Sequence, residues 1–129
     1  MITRDQERAQ HAYKCYEGLK PEQRENYKVL VNGLGANILR SGLAATVAFL
    51  ERENSRSRAE AKLLLDHLGA AGIPGLEGDH GTLPRKVRAL QLDDYMLATR
   101  EMLRVVLWFR RAVQAGAPDK APAAGGARS

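Results

Sequence analysis

The arginines are the residues whose type and spacing can do chemistry in this chain. At 100° per residue, Arg100, Arg104 and Arg111 fall within about 40° of one another, a basic stripe along DDYMLATREMLRVVLWFRRAVQA. Further clusters stand at Arg4/Arg8, Arg56/Arg58/Lys62 and Arg85/Lys86/Arg88. A guanidinium presents a planar fork of donors that matches a phosphate, so such clusters suit a phosphodiester backbone. Only Glu101 lies near the last stripe to neutralise it. No exposed aromatics are interleaved and no RNA-binding motif is present, so contacts of this kind follow charge and do not read bases. Arg40 stands apart at a bend in an apolar stretch, placed to cap carbonyls or to face a ligand.

Other groupings are weaker. His11 and Cys15 are four apart on one helix face, a spacing that can supply two metal ligands. Two more ligands are missing, since Cys15 is the single cysteine and His67 and His80 are distant in sequence. Asp79-His80, in a glycine-rich loop, lacks a nucleophile or a paired carboxylate by motif. NGLGAN (32–37) looks like a phosphate loop only on the surface: it has no preceding strand and no following Lys-Ser/Thr, and it lies mid-helix. These absences lead to an expectation of no catalytic residues, no metal and no cofactor, and so of a protein that is not an enzyme.

The elements that must position the arginines are helical. Apolar residues make up 44% of the 129, aromatics only 5%, and no stretch alternates long enough for a strand. The fold is expected to be all-α, a compact bundle of about five to six helices over 1–115, followed by a disordered Gly/Ala/Pro tail over 116–129. Thr3 with Gln6 forms a capping box for a first helix over 4–17, burying Ala9, Ala12, Tyr13 and Tyr16. Pro21 opens a second helix whose stripe is Tyr27, Leu30, Val31, Leu34 and Ile38. The phase breaks at Ser41-Gly42, with Ser41 the expected cap of a third helix to about Glu51.

Residues 29–51 are almost uncharged and are expected to form the central hairpin, with Gly33, Gly35 and Gly42 admitting a neighbouring backbone. Ser57 and Glu60 make a second capping box before a fourth helix that buries Ala61, Leu64, Leu65 and Leu68. Residues 69–84 form a loop, and PRKVRAL a short helix with Leu83, Val87 and Leu90 inward. Asp93 or Asp94 then caps a last helix to about Ala115, with Tyr95, Met96, Met102, Leu103, Val106, Leu107, Phe109 and Val113 buried. Leu97 and Trp108 fall beyond the basic stripe and away from that core, an apolar pair suited to a partner.

The net charge of +5 comes mostly from arginine and leans toward nucleic acid. One cysteine excludes an internal disulfide and suits a reducing compartment. With no apolar signal core and no run of about 18 apolar residues, a cytoplasmic protein without a membrane partner is expected.

Two segments together resemble a known family. NGLGANILRSGLAATVAFLE and DDYMLATREMLRVVLWFRRAVQA are similar to the small-residue helical signature and the closing helix of the small, all-helical subunit of type III-B (Cmr) CRISPR effector complexes. In the closing helix a Tyr and a Thr precede an apolar run ending in Trp and basic residues. The resemblance covers most of residues 4–115 and implies a non-catalytic subunit. Its partners would be the other subunits of the complex, further copies of itself side by side, and the guide and target RNA in a basic channel. It places the RNA-facing role on Arg104 and Arg111, which Arg100 joins by helix geometry. Arg40, Arg85, Lys86 and Arg88 complete the expected RNA-binding set, and Leu97 and Trp108 the subunit contact. The tail after residue 115 departs from the family. A free-standing helical DNA-binding or adaptor protein is the alternative.

Overall fold

The computed structural model describes residues 2–53, 57–77 and 82–116. Asp79-His80, Arg56 and the tail beyond Gly116 lie outside them. Among the described residues six helices follow one another: α1 (Arg4–Glu17), α2 (Pro21–Ser41), α3 (Leu43–Arg52), α4 (Arg58–Gly69), α5 (Leu83–Arg88) and α6 (Leu92–Ala115). There is no strand among the described residues, so the all-α reading holds.

α1 begins with the expected capping box, Gln6 N–H donating to the Thr3 hydroxyl at 3.1 Å and Thr3 N–H to the Gln6 side chain at 2.7 Å. Its buried face is turned from the expected one: Arg8, Ala12 and Tyr16 are buried and Tyr13 is exposed. The helix rolls because Arg8 has a carboxylate waiting on α6, which a purely apolar stripe does not reveal. α2 buries Tyr27, Val31, Leu34 and Ile38, with Leu30 half-buried, one stripe at helical spacing.

The break falls where the phase change placed it, but Ser41 is not the cap. Gly42 is, at φ +92°, a backbone conformation that glycine adopts without a Cβ penalty. Gly33 and Gly35 are not needed for close approach. A methyl at Gly35 would meet only the Val106 side chain at 3.7 Å, and one at Gly33 only Asn37 of its own helix at 3.9 Å. The hairpin α2–α3 packs on α4, α5 and α6, while α1 rests on α6. Its outer side is nevertheless open, with Val29, Leu39 and Phe49 exposed.

Ser57 precedes α4 without making a capping bond, since its backbone (φ −91°, ψ 10°) lies outside the extended region of an N-cap, and Glu60 is buried. Ala61, Leu64 and Leu68 are buried as expected, with Leu65 half-buried. Before α5 the chain turns at Gly72 and Gly75, both at positive φ, and pins itself to the core through Ile73 and Leu76. Leu83 and Val87 face in and Leu90 is half-buried.

Gln91, not an aspartate, stands at the N-cap of α6; Asp93 and Asp94 lie in its first turn, where they favour the positive end of the helix dipole. α6 buries Ala98, Glu101, Met102, Val105, Val106, Phe109, Ala112 and Val113. Met96 and Leu107 are exposed, contrary to expectation. Leu107 lies within about 20° of Arg100 on the helix wheel and so belongs to the basic face.

Candidate nucleic-acid interface

The basic stripe is on the surface. Arg100, Arg104 and Arg111 are all exposed on α6, as are Leu107 between them and Leu97 a turn earlier. Each arginine has a different setting. Arg100 makes no ion pair among the described residues. Arg104 Nη1 lies 3.7 Å from Glu101 Oε2, on the next turn back. Arg111 holds its guanidinium 4.7 Å from the centre of the Trp108 ring, a cation–π contact that stiffens the side chain and leaves its charge intact. Trp108 is therefore not away from the core: it is half-buried, packed against it on one side and covered by Arg111 on the other.

Among the described residues Glu101 is the carboxylate that pairs with an arginine of the stripe, and it is buried. Arg8 Nη2 donates to its Oε1 at 2.6 Å, and Arg4 Nη1 stands 3.8 Å from the same oxygen. The Arg8 hydrogen bond, with the charges of Arg8, Arg104 and Arg4, holds the Glu101 carboxyl below the usual carboxylate range against the opposing effect of burial. Sequence reasoning missed the part Glu101 plays. The available signal was an acid on the buried side of a helix, which requires a cation from elsewhere.

The remaining expected RNA contacts lie on other helices. Arg40 Nη2 donates to Asn37 Oδ1 at 2.7 Å on its own helix, so it neither caps carbonyls nor turns inward. α5 packs on α3 and α4, whereas α6 packs on α1 and α2. There Arg85 is exposed, Lys86 Nζ reaches the Leu76 carbonyl at 3.4 Å, and Arg88 pairs with Glu51 at 3.4 Å. Arg58 and Lys62 line a cleft with Glu51, Glu53 and Asp66, where acids offset them.

His11 and Cys15 belong to a polar seam inside the bundle. His11 Nε2 donates to the His67 carbonyl at 2.8 Å, and Cys15 Sγ lies 3.6 Å from the same ring. The Tyr27 hydroxyl is 2.7 Å from His67 Nδ1. The distant His67 thus meets His11, through its backbone. Among the described residues no three His, Cys, Asp or Glu side chains are grouped to hold a metal. No described helix is long and apolar enough to cross a membrane.

Fold and site together define a small all-helical protein with an arginine face and a buried arginine–carboxylate pair joining its first and last helices. Residues 4–116 match the family model described as CRISPR-associated protein (Cas_Cmr5). The chain belongs to that family. It is 34% identical over 116 residues to the CRISPR system Cmr subunit Cmr5 of Thermus thermophilus, covering 89% of this chain and 96% of the relative. The corresponding subunit of Thermotoga maritima is 29% identical over 113 residues, covering 86% and 82%. A crystal structure of a CRISPR-associated Cmr5 family protein from Thermus thermophilus matches with a TM-score of 0.73 and 29% identity, over 89% of this chain and 97% of that one.

Proposed function

We propose that this chain is the small, non-catalytic subunit of a type III-B (Cmr) CRISPR ribonucleoprotein, and that it helps hold target RNA or the guide–target duplex by sequence-independent phosphate contacts. The observation that carries the reading is the α6 stripe, in which Arg100, Arg104 and Arg111 are exposed and only Arg104 lies within ion-pair distance of a carboxylate among the described residues. Guanidiniums facing solvent in a row attract a polyanion by counter-ion release, and such contacts do not discriminate between bases. Arg40, Arg85, Lys86 and Arg88 add to the positive field at other parts of the surface. Leu97 and the outer edge of Trp108 serve as contact to other subunits or to a further copy of the chain.

The test replaces Arg104 and Arg111 together by Glu in the reconstituted complex. Retention of target RNA falls by about tenfold or more and the salt dependence flattens, while the helical circular dichroism is kept. Unchanged retention removes the stripe as an RNA contact. Isolation of the wild-type chain with genomic DNA, and without other subunits, would favour the free-standing binder instead.

A further inference from the structure

Three guanidiniums converge on the Glu101 carboxylate, and they are not equivalent. Arg8 has a side chain only 2% exposed and donates to Oε1 at 2.6 Å. A buried guanidinium requires a counter-charge, so Arg8 draws first on the single negative charge that Glu101 has. Arg4 and Arg104, with side chains 63% and 62% exposed, stand 3.8 Å and 3.7 Å from the same carboxylate. Those separations are longer than a hydrogen bond, so the donors of both outer guanidiniums remain available. The result is two solvent-facing cations, one from α1 and one from α6, held near a carboxylate whose single charge they share with the buried Arg8. Neither has another ion-pair partner among the described residues.

We propose that Arg4 and Arg104 form a two-arginine clamp for a phosphate of the bound RNA, with Glu101 as the positioning residue that holds them side by side. The proposal rests on the RNA-holding reading and extends its surface from α6 across the seam onto α1. Two clusters separate in sequence, Arg4/Arg8 and Arg100/Arg104/Arg111, become one site with divided roles: Arg8 secures Glu101 from below, and the outer arginines meet the ligand. A phosphodiester suits the clamp because it supplies a further negative charge, with oxygens that accept from both forks. Arg100, one turn before Arg104, continues the track.

The experiment uses the reconstituted complex with the R4A and R104A variants, the R4A/R104A double variant, and R52A as a control on an exposed arginine at the end of α3. Target-RNA affinity is measured across a salt series. R4A and R104A should each weaken binding by about three- to tenfold and lower the log–log salt slope by about one per copy. The double variant should lose less than the product of the two single losses, since both remove one phosphate contact. The coupling should shrink when the cycle is repeated with E101Q, which can still accept from Arg8. R52A should leave affinity unchanged. If R4A leaves affinity and slope unaltered while the Arg104/Arg111 reversal weakens binding, the clamp is overturned and the α6 stripe stands. If neither matters, the RNA reading falls with it. If R4A impairs subunit assembly and leaves RNA affinity intact, the site faces protein and the clamp is equally overturned.

Discussion

The Tyr95 hydroxyl accepts a 3.0 Å hydrogen bond from the backbone N–H of Ala44, so a side chain of α6 caps the start of α3. The first N–H groups of any helix lack partners within it, and Gly42 at the N-cap has no side chain to offer. The same hydroxyl lies 3.3 Å from where a Cβ on Gly42 would stand. Gly42 is thus selected twice, by its positive φ and by the tyrosine against it. Thr99 donates to the Tyr95 carbonyl at 2.8 Å, one turn on. The Tyr and Thr of the closing-helix signature are therefore structural residues here.

Replacing Tyr95 by Phe should destabilise the bundle by about 1 kcal/mol, the usual cost of a lost cap. Gly42→Ala should cost about 1–3 kcal/mol, because alanine must enter a strained conformation as well as crowd the hydroxyl. Thermal unfolding followed by circular dichroism measures both. An unchanged melting temperature for Gly42→Ala would mean that the α2–α3 bend tolerates another geometry.

Breaking the Arg8–Glu101 pair from one side should be costly. Arg8→Met leaves a buried carboxylate and Glu101→Leu a buried guanidinium, each at about 3–5 kcal/mol, whereas the double substitution should recover most of the loss. Urea titrations of the three variants provide the comparison. Because the folded pKa of Glu101 is lowered, its contribution is complete above the ordinary carboxylate value of 4.5 and is lost as pH falls through the folded value. The double variant should accordingly lose less stability on acidification than the wild type.

His67 should make the fold sensitive to mild acid. Burial and the neighbouring His11 lower its pKa from 6.5, against a smaller opposing effect of Asp66. Tyr27 and Cys15, in the same seam, are both pushed up by burial, Cys15 to about 11. A base whose pKa is lowered on folding binds fewer protons folded than unfolded, so stability present above pH 6.5 declines below it toward the folded value. Melting temperatures at about pH 7.5 and about pH 5.5 should differ more for the wild type than for His67→Gln. Equal differences would assign the acid sensitivity elsewhere.

The same burial should make Cys15 inert. With its thiol raised to about 11, the thiolate that reacts is scarce at neutral pH. Labelling by a thiol reagent near neutral pH should be much slower for the folded chain than in denaturant, and fast labelling of the folded protein would show that α1 opens.

Trp108→Ala should lower stability by about 2 kcal/mol, since the side chain is partly buried against the core, and should also release Arg111 from its stacked position. Calorimetry decides the first point. A variant that melts like the wild type would return Trp108 to a purely external role.

Much of the fold was legible along the chain because it depends on local spacing. The Thr3/Gln6 capping box, the stripe Tyr27–Val31–Leu34–Ile38 and the break at Ser41-Gly42 all express a helical period that short-range sterics and hydrogen bonds enforce. The exposed arginines of α6 were legible for the same reason, as were the family signatures. The roll of α1 was not, because an arginine facing inward reads as surface until its carboxylate, 93 residues away, is known. Ser41 and Ser57 have the composition of caps, yet whether a serine caps depends on local backbone angles and on what neighbouring helices offer, as Tyr95 does for α3.

By itself, then, the sequence determined an all-helical bundle of about five to six helices, the stripe of α2 and the row of arginines, since each follows from residues within a few turns of one another. Tertiary structure alone decided which arginine is buried, which carboxylate answers it, and which two exposed cations approach that carboxylate at the α1–α6 seam. Charge compensation in a folded interior acts between residues that share space, and no spacing along the chain encodes it.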